Sequence, residues 1–485
     1  MEKIIDQFNK IDNNTWNIFK NSNYDRKSMQ ELANTHSLRN EIISLMSEHG
    51  LENDSYVEML DYTIDLFNSQ GLGVDYYGYH NINHELEVTY VSLLALNQKK
   101  IKFTQEDKKS IFAAALFHDF DPQKSVDKPH EESVLKFISM DKKLRELLTS
   151  ADIDLEIIKA LILRTTYPWS GEMKKTAESE IKKCFERSEK TRNSIALQEH
   201  IMEIGWYLSV VDRISGYALG DFTKAMEMAK MNAHALAWRS SVIIRTAVAY
   251  FEDILNKETL MTQTILRTLP KEMRKNFFDT VLSFMKMREQ EVCIQADFAY
   301  ENLKLVPTIE NKTSQEDPDF AQKLYDIFLE LPKPLQFGKD NFKESIKDKD
   351  TIVNTLRLND SNGEIIGFSK GGPLEKYQLR EEIRDENFGL KNTVFLEPLA
   401  VKMGYWGLRG GSEMRHMFIM QAHSMKYKYL TSFALRDVVR ARIMKEDAEF
   451  VQLFDPERWD YYRVCLLYTS PSPRDISGSR MPSSA

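Results

Sequence analysis

Cysteine is nearly missing from this chain. The only three, Cys184, Cys293 and Cys465, form no CxxC pair and no disulfide framework. That scarcity leads us to expect a reducing, cytoplasmic compartment. Long apolar runs are missing too. None approaches the roughly 20 residues of a membrane span. The opening MEKIIDQFNKIDNNTWN lacks an apolar core of signal-peptide length, so no membrane partner is expected. There is no excess of positive charge: the formal net charge is -8. Nothing global therefore points to nucleic acid or an anionic membrane surface. Glycine and proline are scarce between 55 and 301, which argues against strands there.

What is present is 485 residues, 42% hydrophobic and 28% charged. This is a soluble globular profile, long enough for two or three domains. Residues 1–54 are polar and helix-prone and read as an N-terminal helical extension, with DNNTWNIF offering a cap. From 55 to 303, SYVEMLDYTIDLF, KKSIFAAALFHDF, LEIIKALILRT and EIGWYLSVVDRISGYAL repeat apolar residues at three-to-four spacing, which predicts helices. LVPTIENKTSQEDPDF has no such period and reads as a linker over 304–318. Beyond it, TIVNTLRLN and EIIGFSKG flank DSNG as a hairpin would. NTVFLEPLAVKM is a further strand, RGGSEMRHMFIMQAHSMKYK a helix opened by glycines, and YLTSFAL a following strand. The expected architecture is multidomain, an all-α domain followed by an α/β domain over 319–464.

The helical half carries YHNINHELEV, ALFHDFDP, KPHEESV and SVVDRISGY. His80 and His84 share one helix face by their spacing. His118 and Asp119 close an apolar helix. Asp212 sits inside another, and an acid there must be paired or bound to a metal. Histidine and aspartate together suit a borderline or hard divalent ion holding water, which is what attack on a phosphoester needs. His200 reads as structural. Arg164, Thr165 and Thr166, in LILRTTYP, could line the cleft, with Arg164 either a phosphate clamp or a salt-bridge partner.

The order H…HD…D resembles the HD superfamily of metal-dependent phosphohydrolases, and YHNINH is similar to the YHNxxH segment of cyclic-nucleotide phosphodiesterases. The resemblance covers roughly half the chain. It implies His84, His118, Asp119 and Asp212 as ligands of a divalent metal (Mn, Fe, Zn, Ni or Mg). It makes His80 the general acid, has Asn81 support the site, gives Asp119 a catalytic as well as a ligand role, and makes His130 an additional metal or phosphate residue. HDFDPQK departs from the phosphodiesterase continuation and no purine-gripping glutamine is evident. The implied substrate is therefore a small-molecule phosphoester or nucleotide, without cyclic-nucleotide specificity.

The segment NTVFLEPLAVKMGYWGLRGGSEMRHMFIMQAHSMKYKYL resembles the GNAT acyltransferase core. That likeness implies acetyl-CoA as cofactor. Its pantetheine arm would lie along Leu399 and Val401. Its pyrophosphate would sit on the turn and helix start at Gly407, Arg409, Gly410, Gly411 and Ser412. Glu397 stands where the family has a general base, and the acyl acceptor is open. Trp406 and Arg409 depart from the family's loop, which keeps a Gln or Arg and a glycine there. Two other readings stand beside this one: the HD-like half as a metal-holding nucleotide sensor governing an N-acetyltransferase, or the GNAT-like half as inert. Finally, CLLYTSPSPRD back-translates to something resembling a transposase sequencing adapter, and SRMPSSA resembles the flow-cell primer that follows it. We therefore expect residues 465–485 to be disordered, adapter-derived sequence.

Overall fold

The computed structural model describes residues 36–74, 76–98, 100–121, 131–235, 240–311, 317–446, 448–454 and 458–466. The chain divides into two compact units, and the division falls after Arg288.

The first unit is helical. Its helices are α1 (36–48), α2 (Asp54–Ser69), α3 (Ile82–Leu94), α4 (Gln105–Phe117), α5 (Glu131–Met140), α6 (Lys142–Ser150), α7 (Leu155–Arg164), α8 (Gly171–Arg187), α9 (Ile195–Ala218), α10 (Phe222–Ala235), α11 (Ile243–Lys257), α12 (Thr259–Thr268) and the start of α13 (Lys271–Ala299). Short polar residues begin them. Asn53, Asn81, Asp141, Asp154 and Ser194 cap their helices, and Thr104 forms a reciprocal capping box with Asp107. Each such cap satisfies amides that the first turn leaves without partners.

Three helices, α3, α4 and α9, are buried on nearly every side. Ile82, Leu86, Val88, Val91 and Leu93 of α3, the run Ile111–Phe117 of α4, and Tyr207, Leu208, Val210, Val211 and Ile214 of α9 are essentially inaccessible. A helix that is apolar all round belongs at the centre of its domain. A polar side chain on these three helices therefore needs a specific reason to be there.

The second unit holds a mixed sheet in the order β1-β2-β3-β4-β6-β8-β7, with β5 beside β3. The strands are β1 (Leu305–Ile309), β2 (Ile352–Leu358), β3 (Ile365–Pro373), β4 (Thr393–Leu396), β5 (Ala400–Val401), β6 (Tyr429–Leu435), β7 (Ala448–Gln452) and β8 (Trp459–Cys465). Every neighbouring pair is antiparallel except β4 and β6, which run parallel. Helices α14 (Pro318–Phe328) and α15 (Lys339–Lys347) precede β2. Helices α16 (Gly410–Ser424) and α17 (Arg436–Glu446) flank β6 in sequence. Alternate side chains feed two cores. Phe320, Phe328 and Phe342 pack with Phe368, Phe395 and Tyr461. Phe418, Ala422 and Val439 pack with Val394, Leu396, Tyr462 and Val464. The period of two along β4 and β8 thus gives a sheet covered on both faces.

Ordered structure is found in three segments expected to be peripheral. The supposed extension contributes α1, whose Ile42, Leu45 and Met46 are buried and whose Arg39 grips Asp61 through two hydrogen bonds. The supposed linker at 304–318 opens with β1, paired to β2 from Leu305↔Leu358 to Ile309↔Asn354. The expected end at Val464 falls inside β8. Cys465 pairs with Tyr429, and the buried Leu466 donates its amide to the Lys428 carbonyl at 2.8 Å. The rest of the suspected adapter sequence, 467–485, lies outside the described residues.

Candidate functional site

Asn81 fixes the entry to α3. Its side chain accepts from the amides of Asn83 and His84 and donates to the Gly78 carbonyl at 2.8 Å. That aims His84 from the first turn of α3 towards the end of α4, where His118 and Asp119 follow Phe117. The middle of α9 brings Asp212 to the same place.

His84 Nε2 lies 3.2 Å from Asp119 Oδ2 and 3.1 Å from Asp212 Oδ1. His118 Nε2 lies 3.4 and 3.6 Å from the same two oxygens. One ligand atom from each of the four residues falls within 4.8 Å of all the others. Donors bound to one ion at about 2.1 Å would lie about 3.0 Å apart when adjacent and about 4.2 Å apart when opposite. Both histidine Nε2 atoms are buried, and neither makes a hydrogen bond of acceptable geometry among the described residues, close as the carboxylates are. The four groups converge on a point between them rather than on one another, and this donor set fits a divalent ion.

The histidines are 3% and 0% exposed at the side chain, and the aspartates 16% and 18%. The carboxylate side is the one a solute can reach. Burial by itself would lower the His84 pKa, but the Asp119 and Asp212 carboxylates outweigh it and push it up to about 9. His118 is raised for the same reason, with Glu85 adding to the effect. Burial opposes ionisation of both aspartates, yet the facing imidazoles hold them well below the usual carboxylate range. A cation bound there would displace protons.

Glu85 supports the cluster and was missed by the sequence reading. It is fully buried on α3. Its Oε1 accepts the Asp119 amide at 2.9 Å, and its Oε2 lies 2.6 Å from His118 Nδ1, which also meets the Ala115 carbonyl at 3.0 Å. With acceptors crowded at Nδ1, the proton stays there and the Nε2 lone pair faces the cluster. The available signal was position: a glutamate directly after His84, inside an otherwise apolar run.

Other expected residues fare differently. His80 Nε2 sits 3.6 Å from Asp119 Oδ2, at the rim of the cluster. His130 lies outside the described residues. His200 is structural, with Nε2 2.9 Å from Asp107 Oδ2. Thr165 turns its hydroxyl back to the Ile162 carbonyl at 2.7 Å. Arg164 makes no salt bridge among the described residues: it is buried, with its guanidinium 4.0 Å from the centre of the Trp169 ring.

In the second unit, β4 and β6 part after the Leu396↔Ser432 pair. The chain continues as β5 against β3, and Lys402 donates to the Ile366 carbonyl at 2.7 Å. By strand alternation the peptide groups of Leu399 and Val401 face away from β3. One of them is already engaged: Trp406 Nε1 donates to the Val401 carbonyl at 2.6 Å. The turn that follows uses positive φ at Gly404, Gly407 and Arg409. Arg409 is the N-cap of α16 and makes no side-chain cap. The first amides of α16, those of Gly410 and Gly411, have no acceptor within the helix. A Cβ on Gly410 would lie 2.2 Å from Leu356 Cδ2, whereas one on Gly411 would meet nothing within 4 Å.

Glu397 does not have the open position expected of a general base. It is 2% exposed. Its Oε1 takes an ion pair from the fully buried Lys370 and a hydrogen bond from the Tyr377 hydroxyl at 3.0 Å. Lys370 also donates to Ser345 Oγ at 2.6 Å and faces the rings of Phe337 and Phe342. Burial lowers the Lys370 pKa against the pull of Glu397. A carboxylate sequestered in this way is the counter-ion of a buried ammonium.

No protein-family profile matches this chain, and no curated protein does. Among solved structures it is similar to N-acetyltransferases. One from Staphylococcus aureus matches over 34% of this chain and 99% of its own, at 12% identity and a TM-score of 0.25. Arabidopsis thaliana NAA60 in complex with acetyl-CoA matches over 33% and 97%, at 14% and 0.24. The Escherichia coli ribosomal-protein-S18-alanine N-acetyltransferase matches over 33% and 94%, at 11% and 0.24. Among the described residues, no helix is long and apolar enough to cross a membrane.

Proposed function

We propose that the helical unit hydrolyses a phosphoester of a small molecule, using a divalent ion held by His84, His118, Asp119 and Asp212. The observation that carries this reading is the convergence of four ligand atoms from α3, the end of α4 and α9, with two buried imidazole nitrogens left without a hydrogen bond among the described residues. A divalent ion bound there would acidify its water and shield phosphate charge. The chain's own residues do the rest. Glu85 fixes the His118 tautomer and, through the Asp119 amide, the direction of that side chain. Asp119 holds the rim histidine, His80, by its 3.6 Å contact. From there His80 would hand a proton to the leaving oxygen. The partly exposed aspartate edge admits the substrate. Metal analysis of the purified protein, followed by a phosphoester panel with and without chelator, tests this. Chelator-sensitive turnover is expected. A protein that takes up no divalent metal and turns over no phosphoester would overturn it.

We also infer that the sheet unit binds acyl-CoA in the manner of a GNAT domain. The parting of a parallel strand pair, followed by a glycine turn and an uncapped helix start, supports this reading. Two adjacent amides at a helix N-terminus attract a pyrophosphate. Because Glu397 is buried and its Oε1 is engaged by Lys370 and Tyr377, we assign it no proton transfer. Calorimetry with acetyl-CoA is the test, and no binding at millimolar ligand would refute it.

A further inference from the structure

Arg164 is the last residue of α7 and 7% exposed, and Arg213, next to the ligand Asp212, is 5% exposed. Nη1 of each has no hydrogen-bonding partner among the described residues. A buried guanidinium without a full set of acceptors is costly, and proteins seldom keep one without use for it. The surroundings pair Arg213 with carboxylates but make room for Arg164 without pairing it among the described residues. Gly205 on α9 makes room for the stem of Arg164: a Cβ at 205 would lie 2.7 Å from its Cβ and Cγ. Trp169 lies under its guanidinium at 4.0 Å, and Tyr167 lies 5.1 Å from that of Arg213.

The nearby acids are mostly spoken for. Asp253 pairs with Lys257 at 2.6 Å and with Arg213 Nη1 at 3.6 Å. Glu178 pairs with Lys174 at 3.6 Å. Glu258 accepts from Arg213 Nη2 at 3.1 Å and from the Trp206 indole. Glu258 and Asp253 thus both serve Arg213, while Arg164 forms no ion pair among the described residues. Burial and the like charge of Arg213 lower the Arg164 pKa to about 10, against a partial offset from Glu258.

We propose that Arg164 and Arg213, floored by Trp169, form an anion subsite for a phosphate group. Gly205 and Asp212 are two helical turns apart on α9, about 10 Å. Resting on the phosphohydrolase reading, this makes the substrate one with a second phosphate remote from the scissile ester. The subsite itself does not depend on that reading. Guanidinium forks bind phosphate oxygens in pairs, and a stacked indole holds the fork planar.

The test uses the full-length protein stripped with a chelator. Its melting is followed with inorganic phosphate against chloride at matched ionic strength. Phosphate is expected to raise the Tm of wild type. Arg164→Met should weaken the apparent phosphate affinity roughly tenfold or more, while its own Tm without phosphate stays level or rises, since an uncompensated buried charge is gone. Gly411→Asp, which blocks the other phosphate-attracting loop, should leave the phosphate response intact. No response in wild type, an unchanged response in Arg164→Met, or a response abolished by Gly411→Asp alone would each overturn the subsite. Whether phosphoesters are hydrolysed is measured separately with metal restored. The subsite and the hydrolase reading can therefore fail independently.

Discussion

Glu85 sets how good a metal ligand His118 would be. A ring with acceptors on both sides of Nδ1 presents one tautomer, and a carboxylate there raises the basicity of the far nitrogen. Glu85→Gln keeps the shape but offers an amide for an oxygen. We expect metal affinity to fall roughly 10- to 100-fold, read as the competing chelator concentration that halves occupancy, with the protein still folded. Unchanged affinity would show that the Glu85 contact is only packing. Asp119→Ala should go further and abolish metal-dependent hydrolysis, because it removes a ligand charge at the open edge. Its 16% exposed side chain leaves no sealed cavity to collapse, so the fold should survive. Full turnover in that variant would refute the assignment. The four clustered residues were legible because histidine and aspartate inside apolar helices break a pattern at fixed places. Glu85 was not, since a glutamate in a helix ordinarily reads as a solvated charge, and only tertiary burial distinguishes this one.

At the level of elements, neighbouring glycines on α16 have opposite tasks. Gly410 is a packing glycine. A methyl there must displace Leu356, whose Cδ2 lies 2.2 Å from the ideal Cβ position, and Gly410→Ala should cost about 1–3 kcal/mol in chemical unfolding. Gly411 faces open space, and an acid in the first turn of a helix is favourable. Gly411→Asp should therefore be as stable as wild type and yet lose acetyl-CoA binding in calorimetry, as its carboxylate repels the pyrophosphate. Retained binding would remove the cofactor from this turn. The same domain also marks where sequence reading runs out. The hairpin, the central strand and α16 carry strong local signals. The edge strand β1 is short, contains Pro307 and is only half-buried. Proline is tolerated there because an edge strand need not donate on both sides. The segment had no alternation to reveal it and looked like a linker. A chain beginning at 319 should then be less stable than one beginning at 304, because it bares the β2 edge. Equal melting of the two would mean that β1 contributes nothing.

On the scale of the whole molecule, the two proposed ligands belong to different units. A ligand that binds only the folded form stabilises the unit that holds it, by about 2.7 kcal/mol at a hundredfold excess over Kd. For units of this size that is a rise of roughly 5–10 °C. The division after Arg288 leaves each unit with its own buried core, so calorimetry of the full chain should resolve two transitions. Manganese or zinc added to the stripped protein is expected to raise one of them and leave the other in place. Acetyl-CoA is expected to do the reverse, and both together should shift each transition by the same amount as singly. The variants assign the transitions: Asp119→Ala should erase the metal shift alone, and Gly411→Asp the acetyl-CoA shift alone. A metal shift that moved both transitions together would mean that the units unfold as one. A coupling that changed either shift when the other ligand was present would favour the sensor reading, in which occupancy of the helical unit governs the transferase-like one, because linked binding must act equally in both directions.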